Sequence, residues 1–147
     1  MIQNNIPDSI VLDLFAGSGA LGIEALSEGA KKAYLVDHNK IATQTIEKNI
    51  ENLKVENAII LKKDYLEALK ELKKEQIVLD IIFLDPPYKT GYIEKSIEKI
   101  LEYNLLKESG IIVCESDALE KIKIPSGLKN VKEKKYGDKY IVILKKL

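Results

Sequence analysis

Arginine is absent from this 147-residue chain: all 23 of its basic residues are lysines, and 23 acids balance them to a formal net charge of zero. Neutrality removes the whole-molecule field that draws proteins onto polyanions. The missing guanidinium groups remove the planar fork that reads phosphates and base edges bidentately. A stand-alone nucleic-acid reader is therefore disfavoured, and any nucleic-acid contact must come from a local patch. Cysteine is almost as scarce. The one thiol, Cys114, lies in the apolar run 111–116, where a small buried residue is expected, so neither a disulfide nor a zinc site is available. No apolar run approaches the ~18 residues of a membrane span, and no charged-then-apolar leader opens the chain. A cytoplasmic protein with no membrane partner and no metal is expected.

What is present suffices for one core. With 46% hydrophobic residues at this length, residues 1–147 are expected to form a single domain. Apolar runs at 10–15, 32–36, 58–61, 79–84 and 110–115 read as strands. Helices follow them: Ala20 to Leu26 by composition, ending near Gly29, then by spacing Ala42, Ile46, Ile50 and Leu53, then Leu66, Leu69 and Leu72, then Ile93, Ile97, Ile100 and Leu101, and a short fifth helix with Leu119 and Ile122. Alternating strands and helices with short connections imply a parallel sheet covered on both faces. Past Pro125-Ser126-Gly127 the rhythm changes. Segments 128–135 and 139–147 are strand-like and separated only by Tyr136-Gly137-Asp138, so they must run antiparallel. The expected architecture is α/β: a doubly wound, mostly parallel, seven-stranded Rossmann-like sheet closed by a C-terminal antiparallel hairpin.

In such a sheet a ligand lies beyond the carboxyl ends of the strands, at the switch in strand order. Asp13, Asp37, Asp64 and Asp85 stand at the ends of the first four strands. Each has a local alternative: Asp64 can cap its helix with Glu67 completing the pair, and Asp37 can begin a turn. Four together, beside a glycine loop, favour one shared site. The loop Gly17-Ser18-Gly19-Ala20-Leu21-Gly22 fits G-x-G-x-x-G, with Asp37 about 20 residues on. It would accept a dinucleotide pyrophosphate or an amino-acid carboxylate, since its amides and the helix start favour a negative group. Asp13 argues for the second, because it would repel a pyrophosphate and attract an ammonium. Asp37 can accept from ribose hydroxyls, and Asp64, with Tyr65 beside it, from an adenine amino group. His38, adjacent to the turn, can pack near an adenosine.

The fourth strand runs into Asp85-Pro86-Pro87-Tyr88. Two prolines fix φ and cannot donate, so the carbonyls of Asp85 and Pro86 can be held as acceptors between a carboxylate and an aromatic ring. That is an arrangement for gripping an amino group.

Four stretches together, DLFAGSGALGIEALSEGA at 13–30, VDHN at 36–39, IIFLDPPYKTGY at 81–92 and KKYGDKYIVIL at 134–144, resemble the bacterial small-subunit ribosomal RNA (guanine-N2)-methyltransferase family. The closing hairpin is likewise similar to the 3-2-1-4-5-7-6 sheet of S-adenosylmethionine-dependent methyltransferases. The resemblance implies an S-adenosylmethionine pocket including Asp13, Gly17, Ser18, Gly19, Asp37, His38 and Asp64, with Tyr65 beside them. It also implies a target-amine grip at Asp85, Pro86, Pro87 and Tyr88, with ribosomal RNA as partner, in a ribosomal subunit or assembly intermediate. Two departures stand out: Glu28 replaces a usual basic residue, and the family's arginine-bearing segment before the first strand is not found. Free RNA is accordingly expected to bind weakly. The competing expectations are an amino-methyltransferase acting on adenine or cytosine in DNA, a nicotinamide-dependent oxidoreductase on the same glycine loop, and a non-catalytic nucleotide-binding module.

Overall fold

The computed structural model describes residues 2–87, 91–117 and 122–147. After a 3-10 turn at Ile2–Asn5, β1 (Ile10–Asp13), β2 (Lys32–Val36), β3 (Ala58–Leu61) and β4 (Leu79–Leu84) alternate with α1 (Ala20–Ser27), α2 (Lys40–Asn52) and α3 (Tyr65–Lys74). Then come α4 (Tyr92–Glu102), β5 (Leu106–Asp117), β6 (Leu128–Tyr136) and β7 (Lys139–Lys146). The strand order is β3-β2-β1-β4-β5-β7-β6. β1 to β5 pair in parallel, and β7 lies antiparallel between β5 and β6. The doubly wound sheet with a closing antiparallel hairpin, expected from the alternation of runs, is the sheet observed.

Alternation along each strand divides the core into two layers. Leu12, Ile82, Leu84, Ile112 and Cys114 face Leu69 and Leu72 of α3 and Ile93, Ile97 and Ile100 of α4. Val11, Leu35, Ile81, Phe83, Ile111 and Ile143 face Ile23 of α1 and Ile46 of α2. Cys114 is fully buried, and burial pushes its thiol up to about 12, so it is an inert core residue as expected.

Three local differences from the sequence expectations have simple causes. β1 stops at Asp13, two residues short of the apolar run, although the Leu14 amide still donates to the Phe83 carbonyl at 3.2 Å. β5 begins at Leu106 because Lys107, Glu108 and Ser109 continue the strand on exposed positions, which their polarity conceals in the sequence. The expected helix with Leu119 and Ile122 falls mainly on 118–121, outside the described residues; Ile122 itself packs against the core without regular structure. No helix among the described residues is long and apolar enough to cross a membrane.

Candidate active site at the carboxyl edge of the sheet

The four strand-end aspartates are placed by the parallel register, which brings the ends of β1, β2 and β4 side by side at one edge, with β3 next to β2. The glycine loop is then tied to β2: the Gly17 amide donates to Asp37 Oδ2 at 2.9 Å, while the Asn39 amide donates to Asp37 Oδ1 at 2.9 Å. Gly17 has φ +58°, a left-handed turn that suits glycine and aims its amide at the carboxylate. Asn39 in turn caps α2, accepting from the Ala42 amide at 3.0 Å. The third glycine of the motif serves packing. A Cβ on Gly22 would lie 2.1 Å from Leu35 Cδ2, so α1 approaches β2 as closely as it does only because no side chain stands there.

A cavity of about 360 Å³ opens above this edge, within the ~300–1,000 Å³ of ordinary small-molecule sites. Of the expected residues, Gly17, Asp37, His38, Asp64 and Tyr65 border it at one side and Asp85, Pro86 and Pro87 at the other. Asp64 fills both roles the sequence left open: its Oδ2 caps α3 by accepting from the Leu66 amide at 3.1 Å, and the residue still borders the cavity. Asp13, Ser18 and Gly19 do not border it. Ser18 is exposed, Gly19 is packed under Ile23 and Ile46, and Asp13 is 1% exposed behind the loop. Tyr88 lies outside the described residues.

The edge is electrostatically crowded. Burial pushes the Asp13 carboxyl up to about 7; the Gly22 amide, donating to Oδ2 at 3.2 Å, opposes this, and the charges of Asp85 and Asp37 add to it. Asp13 Oδ1 has no hydrogen-bond partner among the described residues. Asp85 is pushed up to about 6, first by burial, then by the charge of Glu115 and a hydrogen bond to it, with Lys139 pulling the other way.

A family model described as Conserved hypothetical protein 95 matches residues 1–145. The ribosomal RNA small subunit methyltransferase D of Haemophilus influenzae is 36% identical over 134 residues, covering 90% of this chain and 69% of the relative. The chain belongs to the Conserved hypothetical protein 95 family. Solved structures agree with that membership. A conserved hypothetical protein of Streptococcus pyogenes superposes with a TM-score of 0.86 at 38% identity, covering 94% of this chain and 86% of that one. Escherichia coli yhhF superposes with a TM-score of 0.91 at 29% identity, covering 99% and 81%. The family resemblance drawn from the motifs at 13–30, 36–39, 81–92 and 134–144 is borne out.

Within the family fold, two groups of residues at this site escape a reading of motifs. Phe15, Tyr65 and Tyr92 form an aromatic cluster on the cavity wall, with ring centroids 5.0–5.8 Å apart. Tyr65 was singled out as the neighbour of Asp64; Phe15 and Tyr92 come from distant segments and meet only after folding. Their signal was faint but present, since Phe15 abuts the glycine loop and Tyr92 ends the IIFLDPPYKTGY stretch. Glu115, the second, is brought to Asp85 by the pairing of Leu84 with Cys114 in β4 and β5. Among the described residues no group of three or more His, Cys, Asp or Glu side chains is arranged to hold a metal ion.

Proposed function

We propose that this protein transfers a methyl group from S-adenosylmethionine to an exocyclic amino group of a nucleic-acid base, guanine N2 in small-subunit ribosomal RNA. The observation that carries the reading is the single cavity bordered by Asp37 and Asp64 at one side and by Asp85, Pro86 and Pro87 at the other. Donor acceptors and an amine grip thus share one volume. The residues bordering the cavity fit the donor: the Gly17 turn and Asp37 suit an amino-acid group and a ribose, and Asp64 and the aromatic cluster suit an adenine, while Asp13, buried behind the glycine loop, supports that loop by accepting from the Gly22 amide. Support for the reaction class comes from the family and from the relative named a ribosomal RNA methyltransferase.

S-adenosylmethionine supplies an electrophilic methyl group on a sulfonium. The protein's task is to present the nucleophile. The amine of guanine is weak because its lone pair is delocalised into the ring. Asp85 and the Pro86 carbonyl, accepting its two N–H bonds, favour a pyramidal nitrogen whose lone pair is free to react. Most of the rate gain then comes from alignment and fixed dipoles, and Asp85 is placed to take the departing proton. Tyr88 stacks on a base withdrawn from its helix or held in a loop.

The experiment is methyl transfer from labelled S-adenosylmethionine to unmethylated small ribosomal subunits, with nucleosides analysed by mass spectrometry. N2-methylguanosine that disappears with Asp85→Ala, while S-adenosylhomocysteine still binds, is the expected result. Binding of NADH in place of S-adenosylhomocysteine, or label found only on another base, would overturn it.

A further inference from the structure

The proposed reaction leaves one carboxylate at the site without a task. Leu84 and Cys114 pair across β4 and β5, so the next residues, Asp85 just past the end of β4 and Glu115 within β5, stand side by side. Their carboxyl groups interact, each raising the energy of a charge on the other, and Lys139 Nζ of β7 lies 3.2 Å from Glu115 Oε1. Asp85 also divides two spaces. One is the donor cavity; the other, of about 330 Å³, has apolar walls at Phe83, Val113 and Ile143, Leu21 at its side, and Glu115 next to Asp85. This slot is largely apolar, with Lys132, Lys134 and Tyr136 also on its lining, and two carboxyl groups side by side on it suit a ring whose edge offers two adjacent N–H donors.

Guanine has such an edge, with the N2 amine beside N1–H. Adenine and cytosine place an unprotonated ring nitrogen beside their amines, which would point a lone pair at the second carboxylate. The like charges of Asp85 and Glu115 are partly relieved by Lys139; a ligand bringing two donors would satisfy both carboxyl groups at once. We propose that Glu115 is a specificity-determining residue, its carboxylate accepting the N1–H of a guanine whose 2-amino group is held by Asp85, so that adenine and cytosine are refused. This inference rests on the methyl-transfer function proposed above and assigns the choice of base to a named side chain.

The test uses two single-stranded RNA oligonucleotides that differ at one position, guanine or 2-aminopurine. Both carry the reactive 2-amino group, but 2-aminopurine has an acceptor where guanine has N1–H. The wild-type protein should prefer guanine by at least ~100-fold in kcat/KM, since a site built around a substrate N–H strongly rejects the analogue lacking it. Glu115→Gln, whose amide can donate to the 2-aminopurine ring nitrogen, should shrink that preference to about tenfold or less. Its affinity for S-adenosylhomocysteine, which reports folding, should be unchanged. Equal loss on both substrates, leaving the ratio intact, would make Glu115 structural and overturn the proposal while the methyl-transfer reading stands. Absence of wild-type transfer to guanine both in the oligonucleotide and in unmethylated small ribosomal subunits would overturn that reading, and this one with it; transfer to subunits with none to the guanine oligonucleotide at saturating concentration would overturn this inference alone. A second variant, Leu21→Trp, fills the slot from a residue that is 41% exposed and tolerant of change. It should cut transfer to guanine at least ~10-fold with donor affinity preserved; unaltered transfer would exclude the slot as the base site.

Discussion

The Gly17 amide donates to the Asp37 carboxylate at 2.9 Å across 20 residues of sequence, so the glycine loop and the end of β2 hold each other in place. Asp37→Ala removes that acceptor together with the one serving Asn39. A charge-assisted hydrogen bond is worth roughly 1.5–3 kcal/mol, so affinity for S-adenosylhomocysteine should fall by about one to two decades. Titration calorimetry measures this directly. An unchanged dissociation constant would remove Asp37 from the donor site.

Asp13 should make the fold sensitive to pH in an unusual direction. Its carboxyl is pushed from 3.8 up to about 7 by burial, so between those values the folded state holds a proton that the unfolded chain has released. Its contribution therefore favours folding most at low pH, declines as pH rises from about 4 to about 7, and is constant above. Asp13→Asn keeps an acceptor for the Gly22 amide without the charge. It should melt higher than wild type at pH 8, by an amount on the order of a few kcal/mol, and the gap should close toward pH 4. Calorimetric melting across that range is the check; a gap independent of pH would mean the carboxyl is not titrating there.

Transfer should have an acid limb set by Asp85. Only the carboxylate form can accept from the target amine, and this group is pushed up to about 6, so single-turnover rates at saturating donor should rise as pH passes through about 6. Lys139 pulls in the other direction; Lys139→Met should move the limb upward. Rates flat from pH 5 to pH 8 would separate Asp85 from the reacting amine.

Gly22→Ala tests the close approach of α1 to β2. The new methyl meets fully buried Leu35, and overpacking of this kind costs about 1–3 kcal/mol. In urea unfolding, Leu35→Ala introduced alongside should cost less than the sum of the two single changes, because the cavity from one accommodates the methyl of the other. Strict additivity would show that helix and strand part instead.

How far the sequence carries can be judged from particular elements. β2 and β4 were legible to the residue because strands buried on both faces are written as continuous apolar runs, and β3, half-buried at the sheet edge, was legible because its four residues are all apolar. The turn from Asp37 to Asn39 and the capping by Asp64 followed from chemistry local to the chain; the bond from Gly17 to Asp37 did not. The extension of β5 was hidden by Lys107, Glu108 and Ser109, which obey exposure and not strand propensity. The meeting of Phe15 with Tyr92, and of Asp85 with Glu115, depends on register between strands and on helix placement, neither of which is written in any single segment. The burial of Asp13 away from the cavity was hidden for the same reason: a strand-end position does not say which face of the loop a side chain meets.

The insertion of β7 between β5 and β6 also has a consequence for the order of synthesis. The ribosome releases β6 before β7, yet β6 pairs with β7 and β5 meets β7 along its outer edge. A nascent chain that has emerged only through β6 can dock β1 to β4 with their helices, and so complete the pocket around Asp37 and Asp64. It still shows an open β5 edge able to recruit another strand, and Glu115 still lacks Lys139. Arrest peptides placed after β6 and after β7 should therefore divide the molecule in time: donor recognition in the first, and a closed sheet with Lys139 beside Glu115 only in the second.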